Sequence, residues 1–132
     1  MQETNEHLYF INQLYRDFIL PDILGQDTVP ILYWAGKHLA QKYKVTTLDD
    51  LTDFFQMAGF GHLVLTKKTK TTYLFTLDGQ IVADRIDSGC QEFTLESGLI
   101  SACLQTFLGK NTESRVTILD KAHRVEIKAQ FS

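Results

Sequence analysis

The sequence predicts one α+β domain, and three observations carry that prediction. Apolar residues recur at a period near 3.6 through three segments between Asn5 and Ala58. From His62 to Asp87, and again from Arg115 to Phe131, the period drops to 2. Between those two regions lies a segment, Leu95 to Leu108, that is apolar around well over half its circumference. The expected order is three N-terminal helices, an antiparallel β-meander, a buried fourth helix and a C-terminal β-hairpin. The hairpin completes a roughly five-stranded antiparallel sheet. No internal repeat, low-complexity tract or linker interrupts the sequence, so residues 1–132 read as a single domain.

The first helix runs from about Asn5 to Leu20, with Leu8, Ile11, Leu14, Tyr15 and Phe18 on one stripe and Pro21 as its expected stop. The second follows the turn at Leu24-Gly25-Gln26. Asp27 or Thr28 can cap it, and Pro30 is tolerated in its first turn. The third opens on Thr47-Leu48-Asp49-Asp50, a near capping box. Its Leu48, Leu51, Phe54, Phe55 and Ala58 form the inward face, and Gly59 suits the C′ position.

Three strands are expected next, His62–Lys67, Thr71–Leu77 and Ile81–Asp87. Leu77-Asp78-Gly79-Gln80 reads as a two-residue type I′ hairpin between the last two. Thr94 is the expected cap of the fourth helix and Gly109 its stop. So apolar a helix is buried on more than one side, either between the sheet and other helices or at a subunit interface. In the closing hairpin, Val125, Ile127, Ala129 and Phe131 point inward while Arg124, Glu126, Lys128 and Gln130 point outward.

Composition narrows the function classes. Hydrophobic residues make up 44% and charged residues 22%, ordinary for a globular domain. A net charge of −3 argues against electrostatic binding of nucleic acid. The one basic cluster, Lys67-Lys68-Thr69-Lys70, sits in an expected turn between strands. No apolar run approaches the roughly 20 residues that span a bilayer. The acidic, polar start, Met1 to Glu6, does not resemble a secretory signal, so a cytoplasmic location is expected. Cys90 and Cys103 could pair, but in that compartment two reduced thiols are expected.

The most informative stretch is Ile31 to Ala40. Placed at about 100° per residue, Ile31, Leu32, Ala35, Gly36, Leu39 and Ala40 share one face with Tyr43, and Trp34 lies opposite beside Lys37, His38 and Gln41. A glycine inside a helix costs roughly 1 kcal/mol relative to alanine, which points to a close approach at Gly36. Trp34 and His38 are neighbours four residues apart, and an aromatic on the polar side suggests an interface or pocket edge.

No catalytic constellation emerges. Cys103 falls on the apolar side of the fourth helix, between the directions of Leu99 and Phe107, and reads as a small buried hydrophobe with a raised pKa. Glu96 reads as a first-turn carboxylate that favours the helix dipole. Metal-ligand spacing is missing, because there is no Cys-x-x-Cys and no His-x-x-x-His. Gly59-Phe60-Gly61 lacks the third glycine and the preceding strand of a dinucleotide loop.

Taken together, Leu20-Pro21-Asp22-Ile23-Leu24-Gly25, the run Ile31 to Lys37, Phe54-Phe55, Ala58-Gly59-Phe60-Gly61 and Phe93 to Gly98 resemble the YslB-like proteins of Gram-positive bacteria. The resemblance covers nearly the whole chain, and Tyr33-Trp34-Ala35-Gly36-Lys37 is its most specific part. More distantly, the layout is similar to a superfamily of vinyl-reductase-type domains, haem–nitric-oxide sensors and acylated subunits of the TRAPP tethering complex. That resemblance implies an α+β fold that dimerises through helices and, in some members, encloses an apolar ligand. It implies no assigned activity. Haem is not expected, since the Tyr-x-Ser-x-Arg grip of the sensors does not occur and His7, His38, His62 and His123 are isolated.

The expectation is therefore a homodimeric, non-enzymatic domain without cofactor or metal that takes an apolar small molecule, such as an acyl chain. The alternative is a protein-interaction scaffold with a solid core and no ligand. Tyr33, Trp34, Gly36, His38, Phe60, Leu99, Cys103 and Phe107 are the candidates for lining the ligand site or the interface. A close-packed interior would favour the scaffold, and an apolar cavity of roughly a few hundred Å³ the binder.

Overall fold

The computed structural model describes residues 9–132. Helix α1 (residues 9–24) is regular over 9–12, π-helical over Gln13–Ile19 and α-helical again over Leu20–Leu24. The expected start at Asn5, and Leu8, lie outside the described residues. The expected stop at Pro21 does not occur. In a regular helix the Pro21 ring would press on the carbonyl of residue 17, and the wider π turn ahead of it gives the ring room.

A short 3₁₀ turn, Gly25–Asp27, leads into α2 (Thr28–Lys42). Neither expected cap holds a backbone N–H of α2 with its side chain; Thr28 instead donates its hydroxyl to the Gly25 carbonyl at 2.6 Å. Helix α3 (Leu48–Met57) starts as expected. Thr47 Oγ1 accepts from the Asp50 N–H at 3.1 Å, and the Asp50 carboxylate reaches back to the Thr46 N–H at 3.3 Å. Gly59 takes positive φ, and the Phe60 N–H closes on the Phe55 carbonyl at 2.9 Å.

Strands β1 (His62–Lys68) and β2 (Thr72–Asp78) pair antiparallel with a bulge between Leu65 and Lys67. The third expected strand is a helix, α4 (Gln80–Asp87), so the meander has two strands and the sheet four. The β-branched Ile81 and Val82 suggested a strand, but the buried positions are Ile81, Val82, Arg85 and Ile86, which is helical spacing. Gly79 does not make the expected type I′ turn. Its φ of 116° and ψ of 171° are open essentially to glycine alone, and they turn the chain out of β2 into α4.

Helix α5 (Thr94–Leu108) is followed by β3 (Thr112–Leu119), a 3₁₀ turn at Asp120–Ala122 and β4 (Arg124–Phe131). The α5 start is another correction. Glu92, rather than Thr94, holds the first turn, its Oε2 accepting from the N–H groups of Thr94 at 2.7 Å and Leu95 at 3.3 Å. Gly109 ends the helix in the left-handed region.

The sheet order is β1-β2-β4-β3, all neighbours antiparallel. Tyr73, Phe75 and Leu77 of β2 and Val125, Ile127, Ala129 and Phe131 of β4 form its buried face. Helix α5 lies across β3 and β4 and is covered on its far side by α2. Of the two placements open for that helix, the sequence's apolar girth thus reflects a position between sheet and helix. The core around Leu51, Phe55, Phe93, Leu99, Ile100 and Leu104 is continuous and shut off from solvent.

Candidate functional site

The site begins where α2 crosses α5. Gly36 and Gly98 sit at the crossing, and a methyl group on Gly36 would overlap the Leu95 carbonyl while one on Gly98 would overlap the Tyr33 carbonyl. This approach brings Tyr33 down beside α5 and over the end of β3. The Tyr33 hydroxyl lies 2.7 Å from Ser101 Oγ, donates to Glu113 Oε2 at 2.5 Å and accepts from the Ser114 N–H at 3.3 Å. Ser114 Oγ lies 2.6 Å from Ser97 Oγ and 2.7 Å from Ser101 Oγ, and donates to the Ser97 carbonyl at 2.7 Å. The Lys37 ammonium lies over the Tyr33 ring at 4.8 Å and donates to Glu113 Oε1 at 3.3 Å. The Tyr33 hydrogen bond, helped by Lys37, sets the Glu113 carboxyl below its usual range against the upward push of its partial burial.

Tyr33, Ser97 and Ser114 of this cluster lie along a groove of about 730 Å³, open to solvent, between the start of α2, the start of α5 and β3. Val29, Pro30, Val116 and Ile118 make its apolar walls. It can hold a guest with an apolar body and a hydrogen-bonding end. Every serine hydroxyl in the cluster faces another hydroxyl or a carbonyl, and the cluster's carboxylate, Glu113, is taken by the Tyr33 hydroxyl and Lys37.

A second polar cluster fastens α1 to the body. The Arg16 guanidinium bonds to Glu92 Oε1 at 3.0 Å and to Glu96, while Arg85 bonds to Asp17 at 2.9 Å and to Glu96 at 3.3 Å. Arg85 and Glu96 are fully buried, and Arg85 lies 4.3 Å above the Phe93 ring. Burial pushes the Glu92 carboxyl up, but Arg16, Arg85 and Thr94 outweigh it and leave it below its ordinary value. Cys90 Sγ sits 3.3 Å from both Arg85 and Asp17, its pKa raised by burial. Asn12 Oδ1 and Arg16 Nη1, an acceptor and a donor one turn apart, have no partner among the described residues.

The eight sequence candidates do not converge on one site. Tyr33, Gly36 and Leu99 meet at the α2–α5 crossing. Phe60 is buried under Arg16, edge-on to Phe55. Cys103 is buried in the core, donates to the Thr47 carbonyl at 3.4 Å and has its pKa raised to about 12 by burial. Trp34 is 63% exposed, with its ring 5.0 Å from and perpendicular to His38, and Phe107 is also largely exposed. Glu96 does lie in the first turn of α5, and it is in addition a buried partner of two arginines. Ser97 and Ser101, four apart on an apolar helix, were a legible sign of the hydroxyl cluster. Arg16 and Arg85 carried no such sign, since Arg16 finds Glu92 and Glu96 far away in the sequence and Arg85 itself lies on the element misread as a strand.

Among the described residues no group of His, Cys, Asp and Glu is arranged to hold a metal, and no helix is long and apolar enough to cross a membrane. Residues 9–130 match the family model described as "Protein of unknown function (DUF2507)". The uncharacterized protein YslB of Bacillus subtilis is 33% identical over 130 residues, which cover 98% of this chain and 86% of that protein. A vinyl-4-reductase family protein from Methanocaldococcus jannaschii superposes with a TM-score of 0.64 at 16% identity, covering 96% of this chain and 81% of that one. The phenol-responsive sensory domain of the transcription activator PoxR, solved with phenol, gives 0.64 at 12% identity over 95% of this chain and 73% of that one. Trafficking protein particle complex subunit 3 from Naegleria fowleri, covalently bound to palmitic acid, gives 0.51 at 14% identity over 100% of this chain and 97% of that one. At such identities the likeness is one of fold.

Proposed function

The chain belongs to the DUF2507 family of proteins of unknown function, and from that footing we propose that it is a cytoplasmic, non-enzymatic domain that self-associates and works through partners. The observation that carries this reading is the orientation of α1. Arg16 and Asp17 turn inward to the ion cluster, which leaves Phe10, Ile11, Tyr15 and Phe18 on the outer side, with Phe18 65% exposed. With Ile23, Val29, Ile31 and Trp34, the N-terminal helices expose on the order of 1,000 Å² of apolar side chain. Phe10, Ile11, Tyr15 and Phe18 on α1 supply about half of that area, and one partner in a standard interface contributes about 800 Å². The closed core supports the same reading.

Light scattering on the purified chain tests it. The wild type should run as a dimer and Phe18→Asp as a folded monomer with an unchanged melt. A wild type that stays monomeric at high micromolar concentration would sink the proposal.

One observation favours a second reading. The groove beside Tyr33 has apolar walls and a hydroxyl-rich end, and the fold is shared with domains solved with phenol and with palmitic acid. On that reading the groove takes an apolar small molecule with a polar head. Native mass spectrometry of protein from its own host should then show a discrete adduct that Tyr33→Phe weakens, whereas a bare chain mass speaks for the interaction domain alone.

A further inference from the structure

The backbone of β3 is half unpaired. Its neighbour β4 bonds to the odd-numbered residues, as the contact from the Ser132 N–H to the Asn111 carbonyl at 3.3 Å shows, so the even-numbered N–H groups point to the open edge. Two of them are closed off by side chains. Gln105 Oε1 takes the Thr112 N–H at 3.4 Å, and the Tyr33 hydroxyl takes that of Ser114 at 3.3 Å. The N–H groups of Val116 and Ile118 have no partner among the described residues, and both residues line the 730 Å³ groove. The opposite edge of the sheet is guarded differently: β1 carries a bulge and two lysines, Lys67 and Lys68.

The two faces of this edge differ in chemistry. On the inner face, Val116 and Ile118 look across the groove to Val29 and Pro30. On the outer face, Arg115 stands directly opposite Lys128 of β4, a like-charge pair that destabilises a sheet. Among the described residues neither cation has a carboxylate within ion-pair distance. A strand laid against β3 would place side chains beside Arg115 and Val116 alternately.

We infer that the β3 edge at Val116–Ile118 is a strand-addition site for an extended segment of a partner protein, apolar on the side toward Val29 and Pro30 and acidic beside Arg115. The outward N–H and C=O groups repeat every second residue, a spacing that another extended backbone matches throughout and a single polar head group meets once. Charge complementarity favours an acidic segment over a second copy: a copy would bring its own Arg115 to the same edge together with a Glu113 already held by Tyr33 and Lys37, whereas a free carboxylate relieves the Arg115–Lys128 repulsion. Val29 belongs both to this groove and to the exposed N-terminal surface, so Phe18 of α1, which does not line the groove, is the residue that separates this site from self-association.

The test titrates the full ¹⁵N-labelled chain with a synthetic peptide, acetyl-Thr-Val-Glu-Val-Thr-Val-amide. Two versions are N-methylated on alternate amides, one along each edge of the peptide. The expected result is a shift of the Val116 and Ile118 amides with exchange slowed about tenfold at saturation, abolished by one methylation pattern and kept by the other. Arg115→Glu should weaken binding about fivefold or more, and a peptide with Lys in place of Glu should restore it. Phe18→Asp should bind the peptide like wild type, which separates this site from the dimer face. Absence of shifts at millimolar peptide, equal binding of both methylated versions, or indifference to Arg115→Glu would each overturn the inference.

Discussion

Gly36 of α2 and Gly98 of α5 lie at one helix crossing, each set against the backbone of the other's helix. Neither site has room for a methyl group, because the atoms it would strike are main-chain carbonyls that cannot rotate away. This contact places Tyr33 over Ser101 and Ser114 and so builds the groove beside β3.

Gly36→Ala and Gly98→Ala should each force α2 and α5 apart. Overpacking of this kind costs about 1–3 kcal/mol, and backbone overlap puts both variants at the upper end. In a domain of this size the melting temperature should fall by roughly 5–10 °C. An unchanged melt would show that the crossing has slack.

Glu96→Gln should be more damaging than its small chemical change suggests. It removes the carboxylate shared by Arg16 and Arg85 in a buried setting, where breaking one partner costs about 3–5 kcal/mol. Acid should act on the same cluster through Glu92. Its folded pKa lies below the ordinary value, so its contribution is present above about pH 4.5 and is lost as the pH falls through the folded value. Glu92→Gln should flatten that acid limb in melts taken from pH 7 downward. A limb of unchanged slope would remove Glu92 from the account.

Cys103 should resist thiol reagents in the native state at pH 8, because its pKa is raised to about 12 and it is buried. The same burial fixes the sign at high pH. A thiol protonated longer in the folded chain than in the unfolded one stabilises fully below pH 9 and loses that contribution as the pH rises toward 12. Cys103→Val should remove this alkaline loss at a cost of under about 1.5 kcal/mol at neutral pH. Rapid labelling of native Cys103 would show a path from solvent to the thiol.

Tyr33→Phe should separate the hydroxyl cluster from Glu113. Losing a hydroxyl that touches Ser101, Glu113 and Ser114 costs about 1 kcal/mol, and the Glu113 carboxyl should titrate at a higher pH by NMR. A Glu113 that titrates as before would mean that Lys37, rather than Tyr33, holds it.

The sequence showed where periodicity and local chemistry agree. The 3.6-residue spacing located α2, α3 and α5, and the alternation in Val125, Ile127, Ala129 and Phe131 located β4. The near capping box at Thr47 and the stop at Gly109 act within a few residues of themselves, so they needed no tertiary context. Gly36 was legible as a close approach because a helix-interior glycine carries a cost that something must offset. Its counterpart Gly98 sat among small residues and showed no such contrast.

What only the tertiary structure decided involves partners far apart along the chain. Gln80–Asp87 is a helix because Ile81, Val82, Arg85 and Ile86 meet the core on one side, an outcome that outweighs β-branched propensity in a short segment. Arg16 and Asp17 face inward because Glu92, Glu96 and Arg85 compensate their charge, some seventy residues away. That pairing is also what turns the apolar stripe of α1 outward. Local pattern determines which side of an element is apolar, but only the placement of distant charges decides which side is buried.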